Sequence, residues 1–280
     1  MEREKLNEIL ENHKLWLNNE GGACANLKGV NLRGVNLRGV DLRYANLYDA
    51  DLKNANLRDA DLRCTHLRYA NLKGANLMGT NLKYADLRYV NLNYTNLYGA
   101  NLSSANLRYA NLRNTDLNSA DLRCANLRGA SLSGANLNSA NLSGASLYNA
   151  NLRGANLYGA NLTNIKTNIH TIGYNLACPE EGSFIGYKKA KDCIIKLLIL
   201  KNSKRSSATT LKCRCDKAKV LDIEKIDTGK KVESISSSHD NDFIYKVGEI
   251  VKVDDFDENR WNECSTGIHF FMNKQNAIKY

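Results

Sequence analysis

The stretch Asn31–Leu72, NLRGVNLRGVDLRYANLYDADLKNANLRDADLRCTHLRYANL, decides the fold, because every fifth residue in it is leucine. On an α-helix, at about 100° per residue, a five-residue step rotates successive leucines by about 140° and scatters them around the cylinder. On a flat strand side chains alternate faces, so an odd step sends successive leucines to opposite sides. The leucines share one side only if the chain turns a corner inside each unit. The stretch therefore predicts a solenoid of short extended segments with leucine inside.

The period runs from Leu27 to Leu162 without exception, 28 consecutive units. Two residues before each leucine stands Ala, Val or, at Thr65, Thr80, Thr95 and Thr115, Thr. A small residue beside each leucine keeps a narrow coil from being overfilled. The residue just before leucine is Asn or Asp, with His66, Ser131 and Ser146 as the departures. Asn and Asp tolerate turns and hydrogen-bond to nearby backbone.

Units such as ANLKG, ANLRG and ANLYG resemble the pentapeptide-repeat family, over residues 25–165. The resemblance implies a mainly β fold: a right-handed quadrilateral β-helix with four units per turn. The 28 units then make about seven coils and, at about 4.8 Å per coil, a rod about 34 Å long. Because each coil stacks only on its neighbours, both ends need caps. The leader MEREKLNEILENHKLWLNNE sets Leu6, Ile9, Leu10, His13, Trp16 and Leu17 at helical spacing and stops at Gly21-Gly22. It is expected to be a capping helix within 1–22, with His13 and Trp16 packed on the first coil and the repeats filling 23–165. Its charge and lack of an apolar centre do not fit a signal peptide. The string HKLWLNNEGGACANL also resembles the leader that precedes the repeats in phage and bacterial members of the family.

After Leu162 the period stops, and residues 166–182, with the single proline Pro179, read as end-cap and linker. Residues 183–280 predict a small α+β domain. CIIKLLILK and TTLKCRCDKAKVLDIEKI supply strands, DFIYKVGEIVKVDDF a hairpin turning near Gly248-Glu249, and GIHFFMNKQNAIKY a strand, turn and short helix. The phrases SFIGYKKA, IKLLI and YKVGEIVKVDDFDENRWNECSTGIHFF resemble a domain of unknown function that follows pentapeptide repeats in phage and other viral or bacterial proteins.

GIHFFMNKQNAIKY also looks like one segment of ADP-ribosyltransferases. That resemblance implies the nicotinamide-stacking position for His269 and the small helix position for Ala277. The other signature segments have no counterpart, and Glu263 is only nearby. His269 and Cys264 stand as C-terminal candidates, an ADP-ribosyltransferase-like activity as an alternative, and no catalytic residue is assigned. The eight cysteines include no CxxC pair, and Cys213 and Cys215 fit alternation along a strand better than a zinc site with Cys193, Cys264, His239 or His269. No metal or cofactor is expected. The thiols are expected reduced in a cytoplasm, and the longest apolar run, Cys193–Leu200, carries Lys196 and is too short to span a membrane.

The chain has a formal net charge of +10, and its repeats contain 4 Lys and 12 Arg against 8 Asp and no Glu, a net +8. The gyrase-binding members of the family imply an acidic, DNA-like rod, the opposite sign. An acidic strip of Asp41, Asp49, Asp51, Asp59 and Asp61 is the local exception. Every twentieth residue shares a column, so Arg68, Arg88, Arg108 and Arg128 fall in line beside Tyr69, Tyr89 and Tyr109. Such a strip suits a partner with carboxylates or phosphates and a flat surface. On its own it would bind nucleic acid without reading sequence, in a salt-dependent way. The reading is a noncatalytic, monomeric protein-interaction scaffold with salt-dependent nucleic-acid binding as the other alternative.

Overall fold

The computed structural model of the chain describes every residue except 1, 175, 263 and 264. The chain divides into two compact units, Met1–Ile172 and Gly173–Tyr280.

In the first unit each pentapeptide is one turn and one bridge. The N–H of the residue three after leucine donates to the leucine carbonyl, as Ala45 does to Leu42 at 3.0 Å. The residue two after leucine has positive φ throughout, whether Gly, as at Gly34 (φ 66), or not, as at Tyr44 (φ 65). Positive φ at the third residue of a four-residue turn marks type II and explains the preference for Gly there. The Asn or Asp before leucine closes the corner from the other side. Its Oδ1 accepts from the backbone N–H two residues on, as Asn31 does from Arg33 at 3.1 Å and Asp61 from Arg63 at 3.1 Å.

Parallel bridges join residues twenty apart, Asn26 with Asn46 through Asn141 with Asn161, so four pentapeptides make one circuit. The core is a stack of buried leucines with alanine beside them. Threonine enters that core by donating its hydroxyl to a carbonyl, Thr80 to Leu57 at 2.8 Å and Thr95 to Leu72 at 2.8 Å. Asparagines also ladder between coils, Asn91 Nδ2 donating to Asn71 Oδ1 at 3.2 Å. Bridging continues past the leucine period at Lys166 and Ile172.

Helix α1 (Arg3–Leu17) buries Leu6 and His13. His13 Nδ1 accepts the Ala25 N–H at 3.0 Å, a first-coil donor with no preceding coil to bond to. Trp16 stacks on His13 at 5.7 Å but remains 38% exposed, so it packs less fully than its position on the apolar face predicts. Past the helix, Gly22 (φ 69) comes so close to it that an added Cβ would lie 2.1 Å from the Asn12 carbonyl oxygen.

The second unit contains β1 (Phe184–Ala190), β2 (Cys193–Ile199), β3 (Arg205–Ser207), β4 (Lys212–Cys215), β5 (Lys217–Lys225), β6 (Ser234–Ser236), β7 (Ile244–Lys246), β8 (Ile250–Lys252), β9 (Ile268–Phe271) and α2 (Lys274–Lys279). A seven-stranded sheet runs β3-β4-β9-β1-β2-β5-β8, and β6 pairs with β7 separately. One face holds the main core, including Ile195, Leu197, Cys213, Cys215, Val220 and Phe270, while Ile194, Phe271 and Ala277 form a smaller cluster. The hairpin expected around Gly248-Glu249 does not form. β7 turns to β6 and β8 to β5, because the intervening Gly248 N–H and Glu249 carbonyl bond to Val220 of β5 at 2.9 Å each. Among the described residues no helix is long and apolar enough to cross a membrane.

Candidate functional site

The tyrosines of the rod strip form a continuous ladder. Tyr69 and Tyr89 stack at 5.1 Å between ring centres, Tyr89 and Tyr109 at 5.2 Å, and Tyr48 meets Tyr69 edge-on at 5.7 Å. The spacing follows from the coil rise of about 4.8 Å, which brings identical positions of successive coils within stacking distance. The ladder ends where Tyr109 lies over Gly129, whose added Cβ would stand 2.5 Å from the ring. The three stacked residues keep 41 to 44% of their surface exposed, so one side of the ladder faces outward.

The four arginines of the neighbouring column do not form the uniform basic row that their alignment suggests. The Arg68 guanidinium lies 4.8 Å from the Tyr69 ring centre and 5.5 Å from that of Tyr89, and it donates to the Tyr69 hydroxyl at 3.0 Å. Arg108 rests 5.6 Å from Tyr109. The Nε of each is buried without a hydrogen-bond partner, so these guanidinium groups lie flat against rings. Arg88 instead grips Asp86 through Nε at 2.7 Å and Nη2 at 2.5 Å. Burial raises the Asp86 pKa, but the Arg88 contacts outweigh it and hold the carboxyl below its ordinary value. Arg128 is exposed at the far end of the row. The sequence signal for this difference is local: DLR places Asp two residues before Arg88, whereas Arg68 follows His66 in HLR and Arg108 and Arg128 follow Asn in NLR.

Arginines also neutralise most of the acidic strip, by the same DLR rule at Asp41 and Asp61, and within the strip only Asp49 makes no ion pair among the described residues. Asp41 pairs with Arg43 at 2.8 Å, Asp61 with Arg63 at 2.7 Å and Asp59 with Arg58 at 3.2 Å, while Asp51 stands 3.8 Å from Arg33. Such exposed pairs add little stability, but they remove the negative field that a DNA-like surface needs.

In the second unit, Cys213 and Cys215 point into the hydrophobic core. Contact with Cys178 and burial push the Cys213 thiol pKa far up, and burial does the same for Cys215. Thiols held neutral in this way are poor metal ligands. Among the described residues no three His, Cys, Asp or Glu cluster to hold a metal. Cys264 and Glu263 lie outside the described residues. His269 sits on β9 opposite Arg214 of β4, half-buried, and Ala277 is buried on α2. His269 and the distant His239 line the same cavity, of about 840 Å3. That meeting is invisible in sequence, because 29 residues separate the two histidines.

With this geometry in place, the comparisons fall on the same two units. The family profile described as pentapeptide repeats (8 copies) matches overlapping stretches from 23–59 to 125–164, and residues 174–277 match a family of unknown function (DUF5758). The chain belongs to the pentapeptide-repeat family. Among solved structures it is similar to HetL, a pentapeptide repeat protein involved in heterocyst differentiation regulation from the cyanobacterium Nostoc sp. strain PCC 7120, at 38% identity over 51% of this chain and 73% of that one, TM-score 0.27. Rfr23 from the cyanobacterium Cyanothece 51142 shows 29% identity over 56% and 93%, TM-score 0.28. QnrB1, a plasmid-mediated fluoroquinolone resistance protein, shows 23% identity over 53% and 77%, TM-score 0.46. No curated protein matches the chain.

Proposed function

We propose that the chain is a noncatalytic interaction scaffold whose rod offers the face of Arg68, Arg88, Arg108, Arg128, Tyr69, Tyr89 and Tyr109 to a protein partner. The carrying observation is the ladder itself: three exposed tyrosines stacked at 5.1 and 5.2 Å on left-handed backbone, with Arg68 laid between two of them. A bulky residue in that backbone region costs stability that glycine would not, and such outliers persist where a surface is used. Aromatic rings flanked by arginine are the composition of interface hot spots.

In this reading the rod is a right-handed quadrilateral helix of about seven coils, capped by 1–22 and followed by the linker 166–182 and the domain 183–280. The protein works as a cytoplasmic monomer. A DNA-like role is disfavoured by the +8 repeat charge and by the Arg–Asp pairing of the acidic strip. Nucleic-acid binding is weakened by the same chemistry, since Asp86 neutralises Arg88.

The test is a pull-down from nuclease-treated lysate with the intact chain, an Arg68/Arg88/Arg108/Arg128→Ser variant and a Tyr69/Tyr89/Tyr109→Asn variant, each checked for folding by circular dichroism. The expected result is a protein retained by the intact chain and lost from both variants. Equal retention by all three rejects the face, and retention seen only in a parallel lysate without nuclease replaces the protein partner with nucleic acid.

A further inference from the structure

β1 and β9 are neighbours in the seven-stranded sheet, yet they pair at one place only, Tyr187 with Phe271. Each is fully paired on its other side, β1 with β2 and β9 with β4. Past the shared pair the ladder between them stops. Lys188, Lys189 and Lys191 from the β1 side and Gly267, Ile268 and His269 from the β9 side all line the cavity. The cavity thus occupies the gap where two adjacent strands part, and its floor comes from the segment that includes Phe243 and Tyr245.

Among the described residues its lining is mostly basic. Lys212 joins the three lysines, with the imidazoles of His239 and His269 beside them, and among the described lining residues Asp240 is the one acidic side chain. Lys188 is the most informative of these groups. It is half-buried in mid-strand, its ammonium 5.8 Å from the centre of the Tyr245 ring, and it makes no ion pair among the described residues. Burial, with the Lys212 charge adding to it, holds its pKa down at about 8. An ammonium placed this way is costly while the cavity holds only water, and an anion relieves that cost. Several lysines acting together favour a multiply charged anion, and the hydroxyls of Ser237 and Ser238, which accept the His239 and Lys191 backbone N–H groups, can donate their own protons to its oxygens. The volume of about 840 Å3 exceeds what a bare phosphate fills and falls in the range of small-molecule sites. Phe243 and Tyr245, in contact at 5.2 Å, offer apolar surface for the remainder of such a ligand.

We propose that this cavity binds a small organic phosphate, its phosphate drawn to the lysine-lined wall with Lys188 foremost and its organic part against the aromatic floor. The site is independent of the rod face, so failure of either leaves the other standing.

Isothermal titration calorimetry of the full chain with AMP, ribose 5-phosphate, adenosine and citrate tests it. One equivalent of AMP or ribose 5-phosphate should bind while adenosine does not; preference for AMP assigns a nucleotide, preference for ribose 5-phosphate a sugar phosphate. Lys188→Met should weaken binding by about tenfold or more, since a charged contact is lost, yet melt no lower than the parent without ligand, because a half-buried charge has gone. As a second readout, binding by the parent should take up a proton near pH 8 and weaken above it, and both effects should vanish in Lys188→Met. Absence of phosphate-ester binding at millimolar concentration, equal binding of adenosine, tighter binding of citrate, or unchanged affinity in Lys188→Met would each overturn the proposal.

Discussion

Six tyrosines of the rod, Tyr44, Tyr69, Tyr84, Tyr89, Tyr94 and Tyr109, stand at φ between 57 and 65. A residue with a β-carbon gives up roughly 1–2 kcal/mol in that region, and glycine nothing comparable. What offsets the strain differs from one tyrosine to the next. Tyr94 is 60% exposed and makes no ring contact among the described residues, so Tyr94→Gly should stabilise the rod by about 0.5–1 kcal/mol. Tyr89 sits between two stacked partners, each contact worth about 0.5–1.5 kcal/mol, so Tyr89→Gly should be neutral or destabilising by up to about 2 kcal/mol. Urea denaturation of both variants reads the contrast; a gain at Tyr89 as large as at Tyr94 would mean that the ladder adds no stability. The left-handed site was legible in the sequence, since LxG repeats mark it. That Arg88 would be neutralised by Asp86 while Arg68 lies on tyrosine was also written there, as DLR against HLR, but the column alignment hides it because it groups residues twenty apart rather than two.

Among the elements, α1 buries Leu6 and His13, and His13 makes its hydrogen bond to the first coil. His13 is fully buried and accepts the Ala25 N–H, so it must stay neutral at Nδ1. Burial holds its pKa below the ordinary 6.5, with Asp41 and Arg43 acting in opposite directions. The unfolded chain therefore binds a proton near pH 6.5 that the folded cap refuses. Stability is complete above that pH and declines as pH falls through it. This window lies above the one set by Asp86 and Asp121, whose pKa values are held below 3.8 and which weaken the fold only in stronger acid. Melting temperatures of the rod should thus fall between pH 7.5 and 5.5, and His13→Asn, which keeps an acceptor but does not titrate, should abolish that slope. The N-terminal helix, the five-residue period and the strand β2 followed from apolar spacing alone, whereas four units per coil came from the family resemblance. The failed hairpin and the parted strands did not, because strand partners depend on which distant edge is free. Gly248-Glu249 carries a sound turn signal, yet β6 takes the strand before it and β5 the strand after it.

At the scale of the whole molecule, the two units have unlike cores, a column of stacked leucines and a sheet with one main apolar face. Stability in the first accumulates coil by coil through nearest neighbours, whereas the second depends on long-range strand pairing. Each therefore has its own sensitive positions. In the second unit Gly186 lies beneath the fully buried Phe270, where an added Cβ would stand 2.6 Å from the ring. Overpacking of this kind costs about 1–3 kcal/mol, so Gly186→Ala should lower the melting of residues 173–280 by several degrees. Calorimetry of the full chain should then resolve two transitions, with Gly186→Ala moving one and Tyr94→Gly the other. A single transition shifted by both substitutions would instead show that the units unfold as one cooperative body, and the proposed cavity ligand would then stabilise the rod as well as its own domain.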